Sequence, residues 1–184
     1  MIFREAKLRG AYVIEPELLA DERGFFGRTW SAEEFSAHGL NPNIAQCNTS
    51  LNRRKGTLRG MHYQVPPHAE AKLVRCTAGA IYDVIVDLRP NSPTWAQWIA
   101  VELTSQNRLM LYVPEGFAHG FQTLADNSEV FYQISATYSP ESARGARWDD
   151  PAFGIEWPLS VSSISERDRS HPFLDPSLSN PRAK

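Results

Sequence analysis

Short apolar runs separated by turn residues dominate the sequence. These runs are TLRGMHYQ, KLVRC, AIYDVIVDLR, WIAVELT, LMLYVP, GFQTL and EVFYQISATY. They are rich in Val, Ile, Leu and Tyr and are separated by Pro, Gly, Asn or Ser, a pattern typical of β-strands joined by turns. No long helical pattern alternates with them, so a parallel βαβ sheet is not expected. Regularly spaced short strands favour a sandwich or a closed jelly roll.

The two ends of the chain depart from this pattern. SAEEFSAHGL predicts one short helix, with Ser31 as N-cap, Glu34 completing a capping box and Gly39 as a left-handed stop. Before it, IFREAKLRGAYVIEP predicts a first strand. After TYSPESARG the chain becomes irregular and rich in proline towards its end, which we interpret as a tail packed over the barrel. We therefore predict a single all-β domain over residues 1–184, a jelly-roll barrel with a short N-terminal helix.

Composition excludes several classes of partner. A chain of 184 residues corresponds to about one domain, and a net charge of −2 without a basic run argues against nucleic acid or anionic lipid. The first residues, MIFREAKLRG, lack the apolar core of a signal peptide, and no apolar stretch is long enough for a membrane span. Cys47 and Cys76 have no metal-binding spacing. Free thiols in a reducing compartment, the cytoplasm, are therefore expected.

Polar side chains interrupt the apolar runs of residues 56–76, namely Arg59, His62, Gln64 and Lys72. Such groups are rarely buried without partners. Arg59 and His62 differ in strand parity, so they can face one cavity only if Gly60 makes a bulge between them. Otherwise Arg59 faces the outer surface. Gln46 and Asn48 share one parity in QCNTS, which suits the wall of a polar cavity.

PEGFAH, residues 114–119, matches the second half of the cupin signature, PxGxxH, in which the final histidine is often a metal ligand. The first half, an HxH pair followed by glutamate, is His62-Tyr63-Gln64 here, with Glu70 farther away than the usual spacing. Two histidines and a distant glutamate are a poor ligand set for zinc or iron. We therefore predict that no metal is bound and that His62 is available for acid–base chemistry.

The stretches GTLRGMHYQ, AKLVRC, DVIVDLR, SPT, VPEGFAHGF, RWDDPAFGIEWP and ISERD together closely resemble the dTDP-4-dehydrorhamnose 3,5-epimerases. These are metal-free cupins of nucleotide-sugar metabolism, and the resemblance runs in order from DERGFF to about Pro172. It implies a cupin-type jelly roll that needs no cofactor and acts on a nucleotide-linked 6-deoxy-4-keto-hexose. The C4 ketone acidifies the protons on C3 and C5, so a base can form an enolate. Reprotonation from the opposite face then inverts the centre.

The resemblance also implies a role for each candidate residue. His62 would be the base, oriented by Asp168, and Asp83 is the alternative carboxylate for that task. Lys72 would stabilise negative charge on the C4 oxygen, and Tyr132 would return a proton from the other face. Arginine and aromatic groups suit phosphate and nucleobase, respectively. The expected binding residues are Arg23, Arg28, Gln46, Asn48, Arg59, His119, Arg167 and Tyr138, the last matching the ring that stacks on the base.

Two positions depart from the family pattern. Arg28 stands where most members have a glutamate, and Cys47 stands where QDN is usual. Both positions lie near the nucleotide in the family, so the nucleotide and the number of inverted centres stay open. The alternative is a single-centre epimerase or isomerase of a CDP- or GDP-linked 4-ketosugar.

Two further alternatives differ in class. A metal-dependent cupin dioxygenase is disfavoured by Gln64. A sugar-binding cupin without chemistry is disfavoured by the combination of His62, Lys72, Tyr132 and Asp168. The resemblance also implies a homodimer that exchanges N-terminal strand segments, and pairing would cover an open sheet edge.

Overall fold

Antiparallel strands make up most of the computed structural model, which describes residues 1–174. The strands are β1 (Ile2–Glu5), β2 (Tyr12–Glu15), β3 (Leu18–Asp21), β4 (Gly24–Gly27), β5 (Gln46–Asn52), β6 (Leu58–Gln64), β7 (Lys72–Ala78), β8 (Ala80–Asp87), β9 (Trp98–Thr104), β10 (Met110–Val113), β11 (Phe117–Thr123), β12 (Ser128–Ile134) and β13 (Ala143–Gly145). The helices are α1 (Ala32–Ala37) and α2 (Glu166–Arg169). Strands β6 to β12 coincide with the apolar runs, so the predicted all-β class is confirmed. Neither helix has the length and apolar character required to cross a membrane.

The strands form two large sheets with jelly-roll connectivity. One sheet has the order β1-β2-β10-β7-β12-β5 and the other β13-β6-β11-β8-β9. Within them, β5-β12-β7-β10 faces β6-β11-β8-β9, the order produced when two Greek keys are interleaved. A third, two-stranded sheet is the hairpin of β3 and β4. From β5 to β12, successive strands thus contribute to opposite walls of one interior, except β8 and β9, which are neighbours in the smaller sheet.

Apolar side chains fill most of the space between the two sheets. Val74 and Val130 from one sheet pack with Ile85, Leu103 and Phe121 from the other, and all are buried. Burial of such side chains is the main favourable term in folding, at roughly 25 cal/mol per Å² of apolar surface. This packing fixes the separation of the sheets, and the polar residues of the interior are displaced to one end.

The outer faces of both sheets are also covered. Phe35 of α1 packs on Ile14 and Tyr112 of the larger sheet. On the smaller sheet, Val84 contacts a cluster that includes Phe153 of the C-terminal segment. The predicted tail therefore does pack over the sheets, although it also contributes β13 and α2. The end of the predicted tail, residues 175–184, lies outside the described residues.

Two predictions near the N-terminus are wrong in detail. The segment predicted as one first strand is a hairpin of β1 and β2, which turns at Gly10 (φ +87°). Ser31 accepts a hydrogen bond from the Glu34 amide at 3.4 Å, as an N-cap should. The Glu34 carboxylate, however, is drawn to the guanidinium of Arg28 at 3.1 Å. A charged donor binds a carboxylate more strongly than a neutral amide does, so Glu34 leaves the capping box incomplete.

Gly60 makes the predicted irregularity in β6. Its φ is +130°, and the pairing of β6 with β11 shifts register, since His119 is opposite His62 but Phe121 is opposite Arg59. The extra residue on β6 is a bulge, which reverses the parity of side chains on either side of it. A Cβ on Gly60 would lie 2.5 Å from the Cα of Gly120, so no larger residue fits.

We predict that Gly60→Ala destabilises the fold by at least about 2 kcal/mol, because it adds a backbone clash to an unfavourable φ. Gly24→Ala is the matched control, since Gly24 has φ +131° but has no other atom within 4 Å of the added Cβ. Denaturant unfolding of both variants measures the difference. Equal losses would show that contact with β11 plays no part.

Candidate active site

A polar cavity of about 290 Å³ lies where the two sheets are not filled by apolar side chains. Its volume is close to that of small-molecule pockets in other proteins. Both sheets contribute to its walls. The larger sheet supplies Gln46, Asn48, Lys72 and Tyr132, the smaller supplies Arg59, His62, His119 and Arg144, and Tyr138 and Arg167 lie on the segments that follow. The bulge at Gly60 thus places Arg59 and His62 on the same cavity.

His62 is held by a carboxylate from the C-terminal segment. Its Nε2 donates to Oδ1 of Asp168 over 2.7 Å, and Oδ2 of Asp168 accepts from the Gly60 amide at 3.2 Å. Ser165 caps α2 by accepting from the Asp168 amide, so the helix begins where the carboxylate is needed. Burial opposes ionisation of Asp168, but the hydrogen bonds from His62 and Gly60 outweigh it and hold its pKa below the ordinary value. Asp168 is therefore an anion beneath the His62 ring.

Asp83, the alternative partner for His62, belongs to a different pair. It is fully buried on β8 and accepts from Nε2 of His119 at 2.7 Å. The cavity therefore has two histidine–carboxylate pairs, and sequence reasoning missed the second. The available signal was the position of Asp83 within an otherwise apolar strand, where an unpaired carboxylate would be costly.

Lys72 bridges the two sheets beside His62. Its Nζ lies 3.0 Å from Oε1 of Glu70 and donates to the backbone carbonyl of His62 at 3.0 Å. Both side chains of the Lys72–Glu70 pair are almost completely buried. Glu70, whose spacing does not fit the metal ligands of the cupin signature, is therefore the counter-ion of Lys72.

Gln64 has a structural task that removes it from the ligand set. Its amide nitrogen donates to the carbonyls of His68 (2.9 Å) and Thr137 (3.2 Å), and its oxygen accepts from the Ser139 amide (2.6 Å). Gln46 likewise accepts from the Tyr138 amide at 2.9 Å. These bonds hold the loop that presents the Tyr138 ring, which is 55% exposed at the cavity.

Within residues 1–174, one group has the composition of a metal site. The ligand atoms of His62, Asp168 and His171 lie within 4.8 Å of one another. Here Asp168 already accepts a hydrogen bond from His62. The predicted absence of a metal stays a prediction.

Arg23 and Arg28 lie away from the cavity. Arg23 is in the turn between β3 and β4, where its side chain is 85% exposed and bonds Asp21 of the same hairpin. Arg28 follows β4 and pairs with Glu34. The structure therefore does not bring these two predicted binding residues to the site of their own chain.

Comparisons with known proteins agree with this geometry. Residues 5–176 match the family model of dTDP-4-dehydrorhamnose 3,5-epimerase. A relative of that name from Sinorhizobium fredii (strain NBRC 101917 / NGR234) is 42% identical over 175 residues, which cover 95% of this chain and 90% of the relative.

Solved structures give the same result. The dTDP-4-dehydrorhamnose 3,5-epimerase of Elizabethkingia anophelis NUHP1 superposes with a TM-score of 0.91 at 38% identity, covering 94% of this chain and 96% of that one. The dTDP-6-deoxy-D-glucose-3,5-epimerase of Legionella pneumophila Philadelphia 1, in complex with dTDP-4-keto-L-rhamnose, gives 0.88 at 35% identity and covers 96% of each chain. With a matching family model, similar relatives and the expected jelly roll, the chain belongs to the dTDP-4-dehydrorhamnose 3,5-epimerase family.

Proposed function

We propose that this protein epimerises a nucleotide-linked 6-deoxy-4-keto-hexose at C3 and C5, in the manner of dTDP-4-dehydro-6-deoxyglucose conversion to dTDP-4-dehydrorhamnose. The observation that carries this proposal is the placement of His62 and Tyr132 on facing sheets of one cavity. Inversion of a carbon needs a proton acceptor on one side of the sugar ring and a donor on the other. The names of the relatives, and the ligand of the Legionella neighbour, support the same substrate class.

His62 acts as the base through Nδ1. Its Nε2–H is engaged by Asp168, so the free lone pair is on the other ring nitrogen. Asp168 fixes this tautomer and stabilises the imidazolium that forms when a proton is taken from C3 or C5. The carboxylate itself does not take part in the proton transfer.

The enolate and its reprotonation need two further groups. Lys72 presents an ammonium group beside His62, where it can stabilise the negative charge that develops on the C4 oxygen. Tyr132 lies on β12, on the opposite wall from β6. A phenol is protonated at neutral pH, so it can donate to the carbanion from that side.

The rest of the cavity suits a nucleoside diphosphate. Arg59 and Arg167 supply cations, which bind phosphate oxygens well, and His119 adds a polar ring to the cavity wall. Gln46 and Asn48 add polar contacts, and the exposed ring of Tyr138 can stack on the base. Cys47 and Cys76 are both free thiols, which supports our expectation that the enzyme acts in a reducing compartment, the cytoplasm.

The proposal predicts that deuterium from solvent enters C3 and C5 of dTDP-4-dehydro-6-deoxyglucose, as followed by NMR. His62→Ala should lower exchange at both centres at least about 10²-fold, because a positioned base contributes that much, while nucleotide binding persists. Exchange at one carbon alone would support the single-centre alternative. Exchange at the wild-type rate in the variant would remove His62 from the mechanism.

The two histidine–carboxylate pairs provide a matched comparison. Asp168→Asn should lower kcat by roughly 10²–10⁴-fold with little change in substrate affinity, because the amide cannot fix the tautomer or balance the imidazolium. Asp83→Asn should have the smaller effect on kcat, since its partner is His119. Steady-state kinetics of both variants decide between them, and the reverse order of losses would mean that the wrong carboxylate is assigned to the base.

Tyr132→Phe should separate proton exchange from inversion. Without the hydroxyl, His62 can still remove a proton and return deuterium from its own side, so inversion at C5 should fall much further than exchange. Deuterium content and product stereochemistry are measured on the same sample. Equal losses would indicate that Tyr132 only positions the substrate, and no loss would mean that another group is the acid.

We also propose that the protein is a homodimer joined through the β3–β4 hairpin. This hairpin exposes large apolar side chains, including Leu19 (70%) and Phe26 (71%), and such surfaces commonly mark interfaces. Arg23, in the turn of this hairpin, and Arg28, directly after β4, are the expected binding residues that lie away from the cavity of their own chain. In a dimer they could serve the cavity of the partner.

Light scattering at micromolar concentration should therefore give twice the chain mass of 20.7 kDa. Phe26→Glu should shift the protein towards monomer and weaken substrate binding, since a buried charge without a partner is costly at an interface. Leu51→Glu, at an exposed apolar residue on β5, is the control and should leave the dimer intact. A monomeric wild type would contradict the proposal.

A further inference from the structure

His171, just after α2, contacts the base pair without a role in the proposed chemistry. Its ring meets that of His62 edge-on, with centroids 5.9 Å apart, and its Nε2 lies 3.8 Å from Oδ1 of Asp168. That distance is too long for a hydrogen bond. The Nε2 atom is buried and has no hydrogen-bond partner among the described residues. A buried, unpaired nitrogen costs free energy and calls for an explanation.

The surroundings of His171 decide which atom of its ring carries the proton. A lone pair on Nε2 would face the Asp168 carboxylate and be repelled by it, so the Nε2–H tautomer is favoured. With this tautomer, three N–H groups converge on Asp168. His62 and Gly60 donate directly, and Nε2 of His171 lies 3.8 Å from the oxygen that accepts from His62.

Gly145 provides the space in which the His171 ring sits. It is paired with His62 in the register of β13 and β6, so it lies next to the base. A Cβ on Gly145 would come within 2.1 Å of Nε2 of His171. The backbone of Gly145 is not in the left-handed region, so the imidazole is the obstacle to a larger residue there.

We propose that His171 is a positioning residue that acts through Asp168: it backs the carboxylate oxygen that accepts from His62, keeps water from it, and thereby holds the His62 ring in its catalytic orientation. This inference rests on the proposed function of the site. It adds to it a third member beyond the His62–Asp168 pair, and it assigns to Gly145 the task of leaving room for that member.

The charges that face His171 are consistent with a neutral donor. Its pKa is lowered first by burial and then by the positive charges of His62 and Arg167, whereas Asp168 acts in the opposite direction. His171 is therefore uncharged at neutral pH. It can assist Asp168 without placing a second cation beside the imidazolium that His62 becomes during turnover.

Kinetics of two variants test the positioning role. His171→Ala should lower kcat about tenfold with KM nearly unchanged, a loss typical of groups that orient a reacting side chain. His171→Gln retains an N–H near the position of Nε2 and should restore most of the lost kcat. If the glutamine variant is as slow as the alanine variant, or if KM alone changes, the proposal is wrong.

An NMR titration of the His171 ring tests the contact without any assay of activity. Asp168→Asn should lower the pKa of His171, because it removes the anion that raises it, and His62→Ala should raise it by removing a positive neighbour. A titration that responds to neither change would overturn the proposal. Because this measurement needs no substrate, it separates a failure of this inference from a failure of the proposed epimerase function.

A double-mutant cycle tests whether Gly145 provides the space for the His171 ring. Gly145→Ala should displace the His171 ring and lower kcat by about as much as His171→Ala does. In the double variant the obstacle is gone, so kcat should be no lower than in His171→Ala alone. If the losses in kcat of the two single variants add in the double variant, Gly145 and His171 act independently. That result would contradict the proposed role of Gly145.

Discussion

The hydrogen bond between His62 and Asp168 is the interaction on which the organisation of this protein depends. It joins a strand in the middle of the chain to a helix more than a hundred residues later, and it forms only if several unrelated elements are in place. The bulge at Gly60 turns His62 towards the cavity, and the amide of Gly60 also binds the carboxylate. Packing of the C-terminal segment on the smaller sheet brings α2 to that point. The tail is thus part of the site, not only a cover for the barrel.

Pairing of charges determines what the cavity can bind. Lys72, His62 and His119 each have a carboxylate partner, namely Glu70, Asp168 and Asp83. Arg59, Arg144 and Arg167 line the same cavity, and among the described residues none of them has a carboxylate within ion-pair distance, although Arg59 donates to the side chain of Asn52 and Arg144 to backbone carbonyls. The paired groups are the ones assigned to chemistry or packed most deeply, where an isolated charge would be costly. The arginines without a carboxylate partner are the cations available to the diphosphate of the proposed substrate.

Local patterns predicted much of this structure, and long-range contacts account for what they missed. Apolar runs and turn residues located β6 to β12, and a glycine between two polar side chains located the bulge. The sequence pattern of residues 2–15 looks continuous, so it did not predict that the chain turns at Gly10 and forms two strands, β1 and β2. The pairing of Asp83 with His119 and the contact of the His171 ring with His62 each join segments that are far apart in sequence. Propensity and periodicity carry no information about such partners, and only the resemblance to a family supplied Asp168.

The three hydrogen bonds of Gln64 have a consequence for how this family could change. The cupin signature has a histidine at the position of Gln64. Here the Gln64 side chain joins β6 to the loop that carries Tyr138 through its hydrogen bonds. Restoring the histidine would supply one ligand but release that loop, since an imidazole cannot offer two donors and an acceptor from one amide-like group. A histidine at residue 64 and the present support of the Tyr138 loop therefore exclude each other. A change of Gln64 to histidine would need at least one compensating change elsewhere to keep that loop in place.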